Sequence, residues 1–383
     1  MKKMFFYAAV AAVAFASCSK ENGIELPNME NETVEAIEFK VSNSIDVTTR
    51  GAGAVGDLET GKNKWNGEKL FVYMFNKGTM TLAVDSTFTN PRNYFENEAI
   101  TAPKGDSEDY TFDQKTTKYY GPNKTNVYDF FAYHADDAIK AGVAPMLNNA
   151  KDAYEVAVTI DGTQDLMVAK AKMNKADSTK YEGNDKFDYS RIYSAYSARR
   201  GVHPRFAFEH KLSRFVFKAE AADEKAMGIN IDSIKVVANT TATMTVAAKD
   251  EKKLGLSNWA TEKGLLLKDD NGASLTIKSL TAKGTQISLG ESMLLAPKAK
   301  AANGDAATYD LIVYYSQKVD GRAEPLKAEF KSVITAPAKT KAEFWAGYQY
   351  QVNIKVYSFQ EIILTCDLTA WQDGGSIPVD PEE

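Results

Sequence analysis

The chain has 383 residues, 44% of them hydrophobic and 25% charged, with a formal net charge of −5 at pH 7. The mild acidity excludes a nucleic-acid partner, because gripping a phosphate backbone needs a clustered basic face. Two cysteines, Cys18 and Cys366, leave no disulfide framework or thiolate metal cage within one chain, so stability has to come from the core.

The first element is a leader. Lys2 and Lys3 precede an apolar run over residues 4–16, too short to cross a bilayer, and Phe15-Ala16-Ser17-Cys18 has the small residues of a lipobox. Residues 1–17 read as a lipoprotein signal peptide and Cys18 as the lipidated start of the mature chain. An ordinary secretory signal with an incidental cysteine is the other reading. Residues 19–29 are polar and form a tether. A strand candidate follows over residues 34–41, with Val34, Ile37, Phe39 and Val41 apolar. Beyond it, Arg50 stands before Gly51-Ala52-Gly53-Ala54-Val55-Gly56, a stretch with no packing face of its own. A basic residue between a strand and an exposed linker lies where proteolysis concentrates.

Short strand-like segments come next, at residues 70–75, 127–133 and 154–160, the last ending at Asp161-Gly162. The polar stretch 174–200, carrying Tyr181, Tyr189, Tyr193 and Tyr196, reads as a long loop. Phe206, Phe208, His210 and Leu212 then alternate with polar or small residues, while Phe215 and Phe217 fall out of phase; a bulge near Ser213 would reconcile them. Residues 275–277, 293–295 and 311–315 continue the pattern. Thr340 and Glu343 have capping-box spacing and Gly347 can close a short helix. The clearest strand is 348–356: Tyr348, Tyr350, Val352, Ile354 and Val356 share one face, and Gln349, Gln351, Asn353 and Lys355 the other, which predicts one face in a core and one in water. The expected architecture is all-β, two antiparallel β-sandwich domains in tandem over residues 51–203 and 204–383.

Catalytic constellations are scarce. The three histidines are His134, His203 and His210; His134-x-Asp136-Asp137 lacks a recognised ligand spacing, and His210 reads as a core histidine. Gly56-x-x-x-x-Gly61-Lys62 imitates a phosphate loop, but Asn63 replaces the hydroxyl residue and Asp57 and Glu59 would repel phosphate. These residues predict neither an enzyme nor a cofactor or metal site.

Four features in order resemble the fimbrillin family of Bacteroidetes, the subunits of type V pili. They are the lipobox with Thr48-Thr49-Arg50 ahead of a small-residue linker, and Trp65 and Gly67 before the apolar strand 70–75. Next come Asp165-Leu166-Met167-Val168-Ala169 with Phe206-x-Phe208-x-His210-x-Leu212-Ser213, and finally Trp345-x-Gly347-Tyr348-x-Tyr350 with Trp371. The resemblance implies two transthyretin-like sandwiches exported to the outer membrane as a lipoprotein. It further implies an arginine-specific protease, here cutting between Arg50 and Gly51, that removes residues 18–50 with the lipid. A strand from a neighbouring copy or related pilin then fills the vacated groove, giving a cell-surface fimbria that supports adhesion or biofilm formation. The C-terminal donor candidate has Ile362, Leu364, Cys366 and Leu368 on one face, although the same residues also read as the domain's own last strand. Shaft, tip and anchor roles stay open. The alternative is a lipid-anchored, monomeric surface lipoprotein that binds a glycan or a protein, for which aromatic side chains such as Tyr119, Tyr120 and Tyr193 would form an exposed platform. A hydrolase would need a carboxylate pair in a cleft, and none stands in a recognisable motif.

Overall fold

A computed structural model describes residues 35–41, 67–83, 94–102, 112–121, 125–173, 175–269 and 272–369. Cys18, Arg50 and Gly51 lie outside them, as do Trp65 and Trp371.

The first ten strands are β1 (Lys40–Val41), β2 (Lys69–Asn76), β3 (Glu98–Thr101), β4 (Asp113–Gln114), β5 (Tyr128–His134), β6 (Met146–Leu147), β7 (Ala153–Thr159), β8 (Met167–Lys172), β9 (Arg205–Phe206) and β10 (Glu209–His210). They are followed by β11 (Ser213–Ala221), β12 (Ile229–Ala248), β13 (Gly255–Leu266), β14 (Lys278–Ser279), β15 (Gln286–Leu295), β16 (Thr308–Gln317), β17 (Leu326–Thr335), β18 (Gln349–Ser358) and β19 (Glu361–Thr369). The fold is all-β, as expected. One sheet runs β1-β9-β8-β5-β2-β3-β4 with β10 beside β8. A second runs β17-β16-β12-β7-β6 with β13 and β14 beside β12, and a third runs β15-β11-β18-β19. Pairing is antiparallel except between β1 and β9 and between β11 and β18, which are parallel.

The second sheet serves both of the others. Tyr73, Phe75, Phe131 and Val168 of the first sheet pack against Val156, Val158, Met244 and Val246 of the second. Phe215, Phe217, Val352 and Ile354 of the third pack against Ile234, Val236, Leu311 and Val313. The opposite face of the first sheet is also covered, with Leu70, Val72 and Met74 beneath Ile37, Phe39, Phe95 and Phe206. Residues 70–75 of β2 are therefore all apolar because both faces of the strand are buried there, which removes the pressure for polar alternation.

Twenty-residue β12 belongs to both cores. Its residues 229–237 pair with β16 and its residues 241–248 pair with β7. Residue 203, the expected domain boundary, falls just before β9 and β10, both of which pair with β8 in the first sheet. The crossing comes at Leu212 and Ser213: Gly347 N–H donates to the Leu212 carbonyl at 2.8 Å and Arg214 N–H to the Tyr348 carbonyl at 3.0 Å.

That crossing corrects the expectation of a bulge near Ser213. Phe206 to Leu212 and Phe215 to Phe217 are out of phase because they belong to different sheets, while the bulge itself lies on β15, whose residues 289–293 face Phe217 to Phe215. A second correction concerns Thr340. The short 3-10 turn spans Ala338–Thr340 with Pro337 at its N-cap, and the Thr340 hydroxyl donates to the Pro337 carbonyl at 2.9 Å. Thr340 thus ends the turn, since Lys341 follows in the left-handed region. The expected loop 174–200 also folds, into helices α1 (Lys175–Tyr181) and α2 (Ala195–Ala198), with Tyr181 stacked on Phe187 at 4.0 Å.

Candidate functional site

The N-terminal segment 35–41 is gripped from two sides. Ile37 N–H donates to the Lys118 carbonyl at 2.8 Å, Tyr120 N–H to the Glu35 carbonyl at 2.9 Å, and Gln114 Nε2 to the Ile37 carbonyl at 2.7 Å. On the far side Lys40 N–H donates to the Pro204 carbonyl at 2.9 Å, and β1 runs parallel to β9. Because residues 113–114 form β4, the segment joins the two edges of the first sheet.

Its side chains alternate accordingly. Ile37 is 1% exposed and Phe39 0%, while Glu38 between them faces solvent. The Phe39 ring lies 4.9 Å from Phe95, 5.4 Å from Phe130 and 5.1 Å from Phe206. Burying two such side chains is worth about 1.5–3 kcal/mol each. Beneath them, buried Lys118 donates to the Tyr94 carbonyl at 2.6 Å, pairs with Glu98 and sits 4.9 Å from the Phe95 centroid.

The C-terminal candidate is β19, at the edge of the third sheet and paired antiparallel with β18 from Gln349↔Thr369 to Val356↔Ile362. Ile362 is buried; Leu364, Cys366 and Leu368 are half-buried against the same core. Burial, with the Asp367 charge, pushes the Cys366 thiol up to about 12, so it stays protonated at neutral pH. The outer face of β18 is less wet than expected. Asn353 is buried there in a side-chain ladder with Gln286 at 3.0 Å, Gln351 at 2.8 Å and Asp367 at 3.1 Å.

Of the tyrosines named as examples of a platform for the monomeric reading, two are buried. Tyr120 is 1% and Tyr193 5% exposed, leaving only Tyr119 of the three at the surface, at 38%. Each histidine has a structural setting. His134 Nδ1 lies 2.9 Å from the Lys69 carbonyl and its Nε2 2.8 Å from Asp136. His210 Nδ1 lies 2.8 Å from buried Asp165, whose backbone N–H donates to Asp136 at 2.7 Å. His203 sits 3.9 Å from Glu38, and burial lowers its pKa. Burial also lowers the Arg214 guanidinium to about 10, despite Asp165 and Glu291 nearby. Among the described residues no three or more His, Cys, Asp and Glu side chains are grouped to hold a metal.

The grip on the N-terminal segment comes from residues that carry no sequence signal for it. Phe112, Gln114 and Lys118 lie in a stretch whose only named strand has two residues. Their role follows from which chain they meet.

Among solved structures, the chain is similar to a proposed cell adhesion protein from Bacteroides uniformis, at 17% identity over 88% of this chain and 98% of that one, with a TM-score of 0.46. It is similar to another from Bacteroides ovatus, at 13% identity over 89% and 99%, with a TM-score of 0.43. The fimbrial anchor protein Mfa2 from Porphyromonas gingivalis matches at 10% identity over 89% and 99%, with a TM-score of 0.36. Among curated proteins none matches. The family described as fimbrillin-like matches residues 49–371, most of the chain. This protein belongs to the fimbrillin-like family.

Proposed function

We propose that this chain is a pilin that polymerises by exchanging strands after proteolysis. It is exported as a lipoprotein through residues 1–17 and held at the outer membrane by acyl chains on Cys18. An arginine-specific protease then cuts between Arg50 and Gly51, and the lipid leaves with residues 18–50.

One observation carries this reading: Ile37 and Phe39 are buried in the first sheet, yet they lie on the N-terminal side of Arg50. Cutting there severs no strand of the described fold and releases the segment that joins two sheet edges. The vacated groove exposes Phe95, Phe130 and Phe206, along with the main-chain donors and acceptors of residues 112–120. An added strand satisfies both needs, its backbone supplying affinity and its alternate side chains supplying register. Strand β19 of a neighbour is the proposed donor: Ile362, Leu364, Cys366 and Leu368 repeat the alternation that Ile37 and Phe39 use. An edge strand also gives up only one ladder when it leaves its own sheet. Such a contact joins two different surfaces, so the assembly stays open and grows as a filament at the cell surface, in contact with copies of this chain or related pilins.

The test is mass-spectrometric N-terminal sequencing of protein recovered from the bacterial surface. A start at Gly51 in high-molecular-weight material is expected. Lipidated Cys18 as the sole N-terminus would make the protein an anchor subunit or a monomeric binding lipoprotein instead.

A further inference from the structure

Exposed apolar side chains scattered singly over a surface are ordinary, whereas a run of them needs a reason. Ten large hydrophobic side chains are exposed among the described residues, and three of them, Val143, Met146 and Leu147, fall within five consecutive positions. Met146, at 74%, is the most exposed of the ten. Ala141, Gly142 and Ala144 beside them are exposed as well.

The run is held at both ends. Val143 N–H donates to the Lys140 carbonyl at 3.0 Å, in a turn whose Gly142 has φ +80°. Pro145 is buried, with the Tyr73 hydroxyl 3.5 Å from its carbonyl. Strand β6 then pairs with β7, Met146 opposite Glu155 and Leu147 opposite Tyr154. Asn148 closes the run: its Oδ1 accepts from the Asp152 N–H at 3.1 Å and its Nδ2 donates to Glu155 at 3.0 Å. Successive strand residues point to opposite faces, so the exposure of both Met146 and Leu147 leaves neither face of β6 covered.

Lys140 and Lys151 bracket the run, and no acidic residue lies between them. Both are exposed, and neither has an ion-pair partner among the described residues. The carboxylates nearest in sequence are engaged elsewhere: Asp136 with His134 at 2.8 Å, Asp137 with Gln164 at 2.9 Å, Asp152 with Lys253 at 2.7 Å and Glu155 with Asn148.

These features select what covers the run. A strand partner would gain little, since β6 offers only two residues of ladder. A folded protein partner would need about 20–30 residues a side. A bilayer needs no matching surface, because its lipids close around whatever enters, and lysine stems can follow apolar side chains while their ammonium groups stay with phosphates. We propose that residues 140–151 insert into the headgroup boundary of an anionic phospholipid bilayer. Val143, Met146 and Leu147 enter it, and Lys140 and Lys151 remain at the phosphates. The contact uses neither Cys18 nor the groove around Phe39, so it stands whether or not strands exchange.

The test is flotation of the full mature chain, carrying Cys18→Ser so that no acyl chain is attached, on vesicles of phosphatidylcholine with or without an equal share of phosphatidylglycerol. Binding to the mixed vesicles is expected, about tenfold stronger than to phosphatidylcholine alone and falling with added salt. Met146→Asp and Leu147→Asp should each weaken it about tenfold and leave the circular dichroism unchanged, since both side chains are exposed. Met146→Trp should add emission that shifts to the blue when mixed vesicles are present. No flotation, flotation that survives both aspartate replacements, or equal binding to the two vesicle types overturns the assignment. Self-association through Met146 without lipid, seen by size-exclusion chromatography, also overturns it and would make the run a contact between copies.

Discussion

Phe39 meets Phe95 edge-on, with ring centroids 4.9 Å apart and planes at 65°, so a residue ahead of the proposed cleavage point completes the core behind it. Edge-to-face pairs add about 0.5–1.5 kcal/mol to simple burial. Phe39→Ala should therefore destabilise the unprocessed chain by about 3–5 kcal/mol in urea unfolding. Material starting at Gly51 lacks the residue, and there the same gene change should have no effect on stability. A loss that persists after processing would mean that the segment stays bound.

Arg50→Ala should leave the chain lipidated on Cys18 and unpolymerised. Intact mass and a denaturing-gel ladder report both properties. Long fibres from this variant would rule out cleavage as the trigger for strand replacement.

Leu364 is only half-buried on β19. Leu364→Asp should cost about 1–2 kcal/mol in the monomer, because a carboxylate there can still reach water. In the groove of a neighbour the same carboxylate would sit among phenylalanines, so assembly should stop. Size-exclusion chromatography of processed protein separates the two effects, and unimpaired polymerisation would point to a different donor.

Burial opposes charge on His134, but Asp136 on Nε2 and the Lys69 carbonyl on Nδ1 outweigh it and raise its pKa above the ordinary 6.5. Burial likewise pushes the Asp136 carboxyl up, yet His134 and the Asp165 N–H bring it below the ordinary 3.8. The raised imidazole stabilises the fold fully below about pH 6.5, and that contribution fades as pH climbs through its folded pKa. The lowered carboxyl contributes above about pH 3.8 and loses its effect as pH falls through its folded pKa. Asp136→Asn should thus cost most near pH 5, about 1–2 kcal/mol, and progressively less toward pH 9. Asp136 has φ +40°, a conformation that asparagine also tolerates, so the backbone is not the variable. A cost independent of pH would exclude the ion pair.

Gly290 has φ +56°, and a Cβ there would fall 2.4 Å from the Lys268 carbonyl oxygen. It sits in the bulge of β15 that lets Phe217 pair with Leu289 and Phe215 with Met293. Gly290→Ala should lower stability by about 2–4 kcal/mol, visible as a drop in thermal midpoint. Gly304→Ala, with φ +88° and no atom within 4 Å, isolates the backbone contribution and should cost less.

Strand β18 is fully legible in the sequence because a core covers one face, and Tyr350, Val352, Ile354 and Val356 alternate without interruption. Strand β12 is hidden, despite being longer. Its alternation shifts phase between Ile231 and Ser233, and its middle is built of Asn239, Thr240, Thr241 and Ala242, small and polar residues that mimic a loop. Strand β17 is an edge whose inward residues, Ile334 apart, are only half-buried, so its apolar signal is weak. The candidate site was half visible. The apolar residues of segment 34–41 and the position of Arg50 can be read directly, whereas the partners of Phe39 come from three distant stretches that only the folded sheet brings together.

A subunit under load would draw on β12 in a way that two beaded domains could not. Its twenty residues span roughly 66 Å at the usual strand rise. One end is laced to β16 and the other to β7, both antiparallel. A pull along this strand strains many ladder bonds at once, in shear, and cannot peel them one by one. No linker stands between the cores to stretch first, so tension would pass from one to the other through a single continuous spine.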